Sequence, residues 1–284
     1  MGILYAEQEG LTFTMNSVHS NITYKNGWAD YFRPFCKEFN NELRRKDFQF
    51  WETSGHMNKR KRRYAIRGYF QVGFDSVFTH QIWWKIWGKH FEEKAYSSPK
   101  YGFINLSGVD AATNVLNNIW NLNEELESWI CNQKKQLGFD DVQYVAVHMR
   151  RGDKVSGTTK EADEVATNSF ADEILKLPAH IKTVYVLTDD YARIGELQTM
   201  LPADYKIITL CERGENGYDN GLFTKLSPEI RFNRIKRLLL ETEICRKADF
   251  FIGTYVTNLS KLIVLLRNNE CSLSIEGYPF RLVD

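Results

Sequence analysis

Two rhythms of apolar and polar positions divide this chain. In the C-terminal half, short apolar runs at 143–149, 183–188, 206–210 and 249–253 predict buried strands. Between and after them, stretches of helical period at 168–176, 191–200, 228–247 and 257–267 predict helices. Such alternation implies a parallel sheet with Rossmann-like connections. The helix at 228 is well signalled, because Ser227 can cap it and Pro228 suits its first position. The N-terminal half reads differently. Residues 3–14 suggest a helix end leading into a strand, Leu11–Met15, and residues 28–51 place Trp28, Tyr31, Phe32, Phe35, Phe39, Leu43 and Phe50 largely at helical spacing. In 78–91, Trp83, Trp87 and Phe91 share one face and predict a buried helix. A long helix is expected from Asp110 to a stop at Gly138, with Gly138–Asp141 as the domain boundary.

One string carries most of the chemistry. The run Tyr144–Met149 ends abruptly in His148, Arg150, Arg151, Gly152, Asp153 and Lys154. In an open α/β sheet, ligands bind outside the carboxyl ends of the strands. Guanidinium is always charged and grips phosphate through two parallel hydrogen bonds. Two arginines at a strand end therefore point to a phosphate-bearing ligand at Arg150 or Arg151, the alternative being pairing with surface carboxylates. Arg-Gly-Asp here follows a buried strand, which argues against an adhesion role. The chain has no Gly-x-Gly-x-x-Gly and no Walker loop, so no glycine-rich cradle holds the phosphate.

The string His148-x-Arg150-Arg151-x-Asp153-Lys154 resembles the nucleotide-sugar motif of the fucosyltransferase superfamily, in particular its α1,6-fucosyltransferases. Gly152 stands where those enzymes carry Thr, as it does in α1,2-fucosyltransferases. The likeness continues through Val184–Asp190, Leu240–Glu241, Lys247–Phe250 and Phe251–Asn258, and covers about residues 140–266. It implies an α/β, GT-B-like fold of two Rossmann-like lobes with the donor site between them. The expected division is an acceptor-side lobe at 1–139, a nucleotide-sugar lobe at 140–266, and a tail at 267–284 returning to the first lobe. The implied activity is an inverting, metal-independent transfer of a sugar from a nucleotide diphosphate to a glycan hydroxyl, with no cofactor beyond the donor substrate. GDP-fucose is the donor that the resemblance implies. The brevity of the chain also suits glycosyltransferases of large DNA viruses of algae, where UDP-xylose is the alternative. A further alternative is a glycan- or nucleotide-binding module without catalysis.

The resemblance places Arg150 on the β-phosphate, where fixed positive charge stabilises the leaving group. Arg151 falls on the other side of the strand and reads as structural. The helix opening near Thr257 and Asn258 is the second phosphate device, with Gly253 allowing close backbone approach before it. His148 lies near the nucleotide or is a satisfied core histidine. Asp190 binds ribose or base, or caps a helix. Glu241 matches the position of an Asp that reads guanine, with Glu243 as another candidate. The family's base is replaced by Thr158, so Asp153 and Glu161 are the catalytic candidates, followed by Asp163 and Glu164.

Composition narrows the partners. Hydrophobic content of 43% and charged content of 26% are those of an ordinary globular chain. A net charge of +1 argues against a general nucleic-acid binder. The basic run Asn58–Arg63 reads as a solvated loop, an acidic-ligand patch or a nuclear address. No apolar run is long enough to span a bilayer, and no basic n-region opens the chain. Five scattered cysteines without a Cys-x-x-Cys suit buried thiols in a reducing compartment. An Asn258 sequon inside the phosphate motif also favours the cytoplasm over a trimmed Golgi-lumenal domain.

Overall fold

The computed structural model describes residues 1–18, 20–38, 73, 75–77, 89–152, 155, 163–277 and 279–282. The expected helices over 39–51 and 78–88, the basic run Asn58–Arg63, Asp153 and Glu161 lie outside the described residues. The chain divides into two compact units between Asn123 and Glu124.

In the first unit, helix α1 (Gly2–Gln8) packs on strand β3 (Ala95–Ser98), with Ile3, Leu4 and Ala6 buried. Strand β1 (Thr14–Met15) pairs in parallel with β2 (Lys37–Glu38). A short 3-10 helix, Gly27–Asp30, lies between these two strands. It replaces the start of the helix expected from residue 28, because three backbone N–H groups, from Tyr24 to Asn26, fold onto the Asp30 carboxylate at 2.8–3.2 Å. Helix α2 (Lys89–Glu93) leads into β3, which pairs antiparallel with β4 (Phe103–Ser107). Helix α3 (Gly108–Ile119) follows, its first turn capped by Ser107 Oγ, which accepts from Asp110 N at 3.2 Å. Among the described residues, the strands of this unit form two two-stranded sheets.

The long helix expected over 110–138 is two helices. After α3 the chain leaves helical geometry through residues 120–123, and α4 (Glu124–Leu137) begins afresh. Asparagine side chains supply the reason. Asn117, Asn118 and Asn121 donate to the carbonyls of Thr113, Asn114 and Asn118, in competition with the helix ladder. The freed backbone pairs with an earlier segment: Asn123 N donates to the Tyr31 carbonyl and Arg33 N to that of Asn121, at 2.9 and 2.7 Å. The unit boundary therefore falls at this break and not at Gly138. Helix α4 belongs to the second unit, where it packs on the long helix α8 described below.

The second unit is a three-layer α/β structure whose strands and helices follow the sequence rhythm closely. They are β5 (Tyr144–Met149), α5 (Thr167–Leu175), β6 (Thr183–Thr188), α6 (Ala192–Met200), β7 (Lys206–Thr209), a short α7 (Asn220–Phe223), α8 (Pro228–Lys247), β8 (Phe250–Gly253), α9 (Asn258–Leu266) and β9 (Ser272–Ser274). The five strands are all parallel, in the order β7-β6-β5-β8-β9. The tail thus supplies the sheet's last strand, since Ser272–Ser274 pair with Phe251–Gly253. Cys-Ser-Leu-Ser does alternate, but the strand is only three residues long and follows a polar stretch, so the sequence reading assigned none there. Successive residues of β5 face opposite sides. Val145, Val147 and Met149 join Phe170, Ile174, Val184, Val186 and Leu197 in one apolar core. On the other side lie α8 and α9: Tyr144 Oη donates to the Ile244 carbonyl at 2.9 Å, and His148 meets Ser260.

Candidate donor site

The order of the strands locates a crevice. From β5 the sheet grows in one direction through β6 and β7, and in the other through β8 and β9. Outside the carboxyl ends of β5 and β8, the chain turns to opposite sides, which is where open parallel sheets bind ligands. His148 and Arg150 stand at the end of β5, and Thr254, Thr257 and Asn258 follow the end of β8.

His148 is fully enclosed, and its Nδ1 lies 2.7 Å from Ser260 Oγ in the first turn of α9. Burial, reinforced by the charge of Arg150, pushes its pKa down to about 3. It is therefore a neutral imidazole joining β5 to α9, closer to the satisfied core histidine of the two sequence readings. Gly253 permits this contact: a Cβ there would lie 2.7 Å from Ser260 Oγ and 2.8 Å from the Phe251 ring. Its role in the fold is to let helix and strand approach.

Arg150 is ion-paired through Nη1 with Asp189 Oδ2, and both side chains are largely covered. The Asp189 carboxylate also accepts from the backbone N–H of Arg151 at 2.8 Å and of Tyr218 at 2.9 Å. The sequence pointed to Asp190, yet its neighbour is the one beside Arg150. Asp190 pairs with Arg193 Nε at 3.0 Å and accepts from Ala192 N at 3.1 Å, as a helix-start residue does. The missed signal is the strand end itself. Thr188 is the last residue of β6 and pairs with Met149, so the residue just beyond it is the one level with Arg150.

Arg151 is structural, as expected. It is buried, its Nη2 donates to the Val165 carbonyl at 2.8 Å, and its Nε lies 3.1 Å from Glu164. Glu164 is half-exposed and held by this ion pair.

Beyond β8, Thr257 caps α9. Its hydroxyl donates to the Thr254 carbonyl at 2.9 Å and accepts from Ser260 N at 3.4 Å. Asn258 is exposed at the first position of this helix. The Thr254 hydroxyl, which the sequence reading passed over, is buried and has no hydrogen-bond partner among the described residues.

Glu241 lies on the α8 side of the sheet, with its side chain 5% exposed. Arg237 sits 3.8 Å from it and holds Glu215 at 2.7 Å. Burial pushes the Glu241 carboxyl up to about 7, against the pull of Arg237. The hydroxyl of Tyr185, on the interior strand β6, is buried beside it, and burial drives the phenol's pKa well up. Glu243 pairs with Arg246 at 3.2 Å. Glu241 is therefore buried beside Arg237, while its Oε1 has no hydrogen-bond partner among the described residues.

All five cysteines are free: Cys211 and Cys245 are buried, while Cys131 and Cys271 are exposed, against the expectation of uniformly buried thiols. No group of His, Cys, Asp and Glu among the described residues is arranged to hold a metal ion. No helix among them is long and apolar enough to cross a membrane.

No family model and no curated protein matches the sequence. Solved structures do match the fold. An α-1,6-fucosyltransferase NodZ soaked with GDP-fucose superposes with a TM-score of 0.54 at 14% identity, over 92% of this chain and 84% of that one. NodZ co-crystallised with GDP gives 0.52 at 13% identity over the same shares. NodZ from Bradyrhizobium gives 0.52 at 12% identity over 92% and 85%. The chain shares the fold of NodZ. The fold class is thus α/β and GT-B-like, as the motif implied. The identity with NodZ is too low to carry residue roles across, and those rest on the geometry above.

Proposed function

We propose that the protein is a glycosyltransferase. Its second unit binds a nucleotide diphosphate sugar at the β5–β8 crevice, and the sugar passes to a glycan hydroxyl with inversion and without a metal. The observation that carries this reading is the placement of Arg150 at the end of β5, where the strand order reverses, with the capped start of α9 following the neighbouring strand. The fold shared with NodZ, whose crystals were soaked with GDP-fucose and grown with GDP, supports it.

In this reading Arg150 neutralises the charge that develops on the leaving diphosphate. The N–H groups opening α9 at Asn258, with the Thr254 hydroxyl, add further donors. In this reading Arg150, held at one edge by Asp189, supplies the charge stabilisation in place of a divalent ion. His148 remains neutral and holds α9 against β5. Asp153 and Glu161 stay the candidates for the base that takes the acceptor proton.

GDP-fucose is the first donor to test. A UDP-sugar, UDP-xylose foremost, is favoured by one observation: the carboxylate expected to read guanine is buried, its side chain 5% exposed. Thermal shift with GDP, UDP, GDP-fucose and UDP-xylose, with and without Mn²⁺, separates these readings, because a ligand that binds the native state raises its melting point by mass action. A GDP-selective, Mn²⁺-independent shift supports fucosyl transfer. A UDP-selective shift moves the donor to the xylosyl side. No shift with any nucleotide defeats the glycosyltransferase reading.

A further inference from the structure

The segment after β7 turns back over the Arg150 loop and is pinned from several directions. Tyr191 N donates to the Glu215 carbonyl at 2.8 Å, and Gly217 N to the Asp189 carbonyl at 2.6 Å. Arg237, from α8, holds the Glu215 carboxylate at 2.7 Å. Tyr218 N donates to Asp189 Oδ2 at 2.9 Å. The seat of this segment is Gly152, whose φ is +71° and where an added Cβ would lie 2.5 Å from both the N and the O of Tyr218. A Thr at this position, the residue of the α1,6 motif, would collide with that backbone.

The close seating carries the Tyr218 ring over the guanidinium of Arg150, with 5.4 Å between the ring centroid and Cζ. Asp189 meets the same guanidinium at Nη1. A carboxylate and an aromatic ring thus hold the same cation. An arginine side chain loses much rotamer freedom when it grips a phosphate, and ordering it beforehand removes that loss from the binding step.

We propose that Tyr218 is a positioning residue for Arg150, its ring packing on the guanidinium so that the cation is already held in place for the donor's diphosphate. The inference rests on the assignment of Arg150 to that diphosphate. The ring face carries the effect, so phenylalanine serves in place of tyrosine and leucine does not.

Inorganic pyrophosphate is the probe, titrated calorimetrically into the full chain and into Y218F, Y218L, R150A and the R150A/Y218L double variant. Tyr218→Leu weakens binding roughly 3- to 30-fold, the span of cation–π contacts from exposed to desolvated sites. Tyr218→Phe stays within about twofold of the parent, since its ring keeps the quadrupole. In the Arg150→Ala background, Tyr218→Leu produces no further loss, which a general loosening of the segment would not reproduce. Tyr218→Met, which keeps bulk without a ring, stands in if the leucine variant fails to fold. Parent-like binding by Y218L alongside defective R150A overturns the positioning role alone, as does an equal loss from Y218L in both backgrounds. Parent-like binding by R150A overturns the assignment of Arg150 and the present inference with it.

Discussion

The two faces of the parallel sheet are built from the same strands and filled with different chemistry. On the face under α5 and α6, an apolar core runs from Val145 through Phe170 and Ile174 to Leu197, with buried Arg151 and Thr167 at its rim. On the face under α8 and α9, the buried set includes His148, Glu241, Glu243, Ser260 and Lys261. Buried polar groups are costly unless paired. The pairs here run His148 to Ser260, Arg237 to Glu215 and Glu241, and Glu243 to Arg246. The apolar face is a source of stability. The polar face gives up some stability to hold α9 and α8 in fixed register with the strand ends that carry Arg150 and Thr254.

The comparison breaks most readily on the apolar side. Phe170 is fully buried in the core cluster, and Phe170→Ala should cost about 3–5 kcal/mol of stability through the cavity it leaves. Nucleotide affinity of the folded fraction should remain that of the parent. Chemical denaturation together with calorimetry checks both parts, and a lost affinity without lost stability would contradict the separation. Arg150→Ala does the reverse. Removing a preorganised charge from a leaving group should lower the transfer rate about 10²- to 10³-fold, while stability falls by less than in Phe170→Ala, since Asp189 loses its cation but keeps two backbone donors. Normal turnover in this variant would sink the proposed mechanism.

Legibility in the sequence followed the same division. Strands β5 to β8 and their helices were readable because the central strands are buried on both faces and their apolar runs are short and bounded. Ser227 and Pro228 announced α8, and Ser227 Oγ does accept from Ile230 N at 3.3 Å. The motif at His148–Arg151 sits at a strand end, as its abrupt change of polarity suggested. What escaped was set by pairing and not by pattern. Asp189 rather than Asp190 faces Arg150, because the register of β6 on β5 decides it. Tyr218 comes from a turn whose position depends on Gly152 and Arg237. The α3–α4 break arose from asparagine side chains that compete with a helix whose apolar period runs on through them.

Gly253 tests how tightly the polar face is coupled to the crevice. An alanine Cβ there meets Ser260 Oγ at 2.7 Å and the Phe251 ring at 2.8 Å, so strand and helix must separate. The expected cost is about 1–3 kcal/mol, as for other overpacked cores. Because α9 carries Asn258, pyrophosphate affinity should fall as well. Ser260→Gly in the Gly253→Ala background removes the hydroxyl in the way and should restore part of both. Equal stability losses without any change in affinity would mean that α9 does not contribute to anion binding.

The smallest expected effect is the most diagnostic of the polar face. The Glu241 carboxyl is pushed up from 4.5 to about 7, chiefly by burial, so the folded state holds its proton where the unfolded chain has released it. Between these values the native state binds more protons, and stability therefore falls as pH rises through that window. The stabilising contribution is complete below about pH 4.5 and gone once pH has passed about 7. Glutamine at this position stays neutral throughout. Glu241→Gln should melt close to the parent at pH 4.5 and above it at pH 8, by roughly 2–4 °C for a gain of about 1 kcal/mol. Part of the desolvation relief is offset, because Arg237 loses one of its carboxylates. His148, whose pKa is lowered to about 3, tilts stability the other way, upward with pH as far as about 6.5. It does so equally in both proteins and cancels from the difference. A melting difference that stays flat from pH 4.5 to 8 would show that Glu241 does not titrate across this window. The same pair of proteins also decides the carboxylate's task at the donor. If GDP raises both melting points equally, Glu241 belongs to the scaffold of the polar face and not to base recognition. A shift lost in the glutamine variant would return it to the guanine edge.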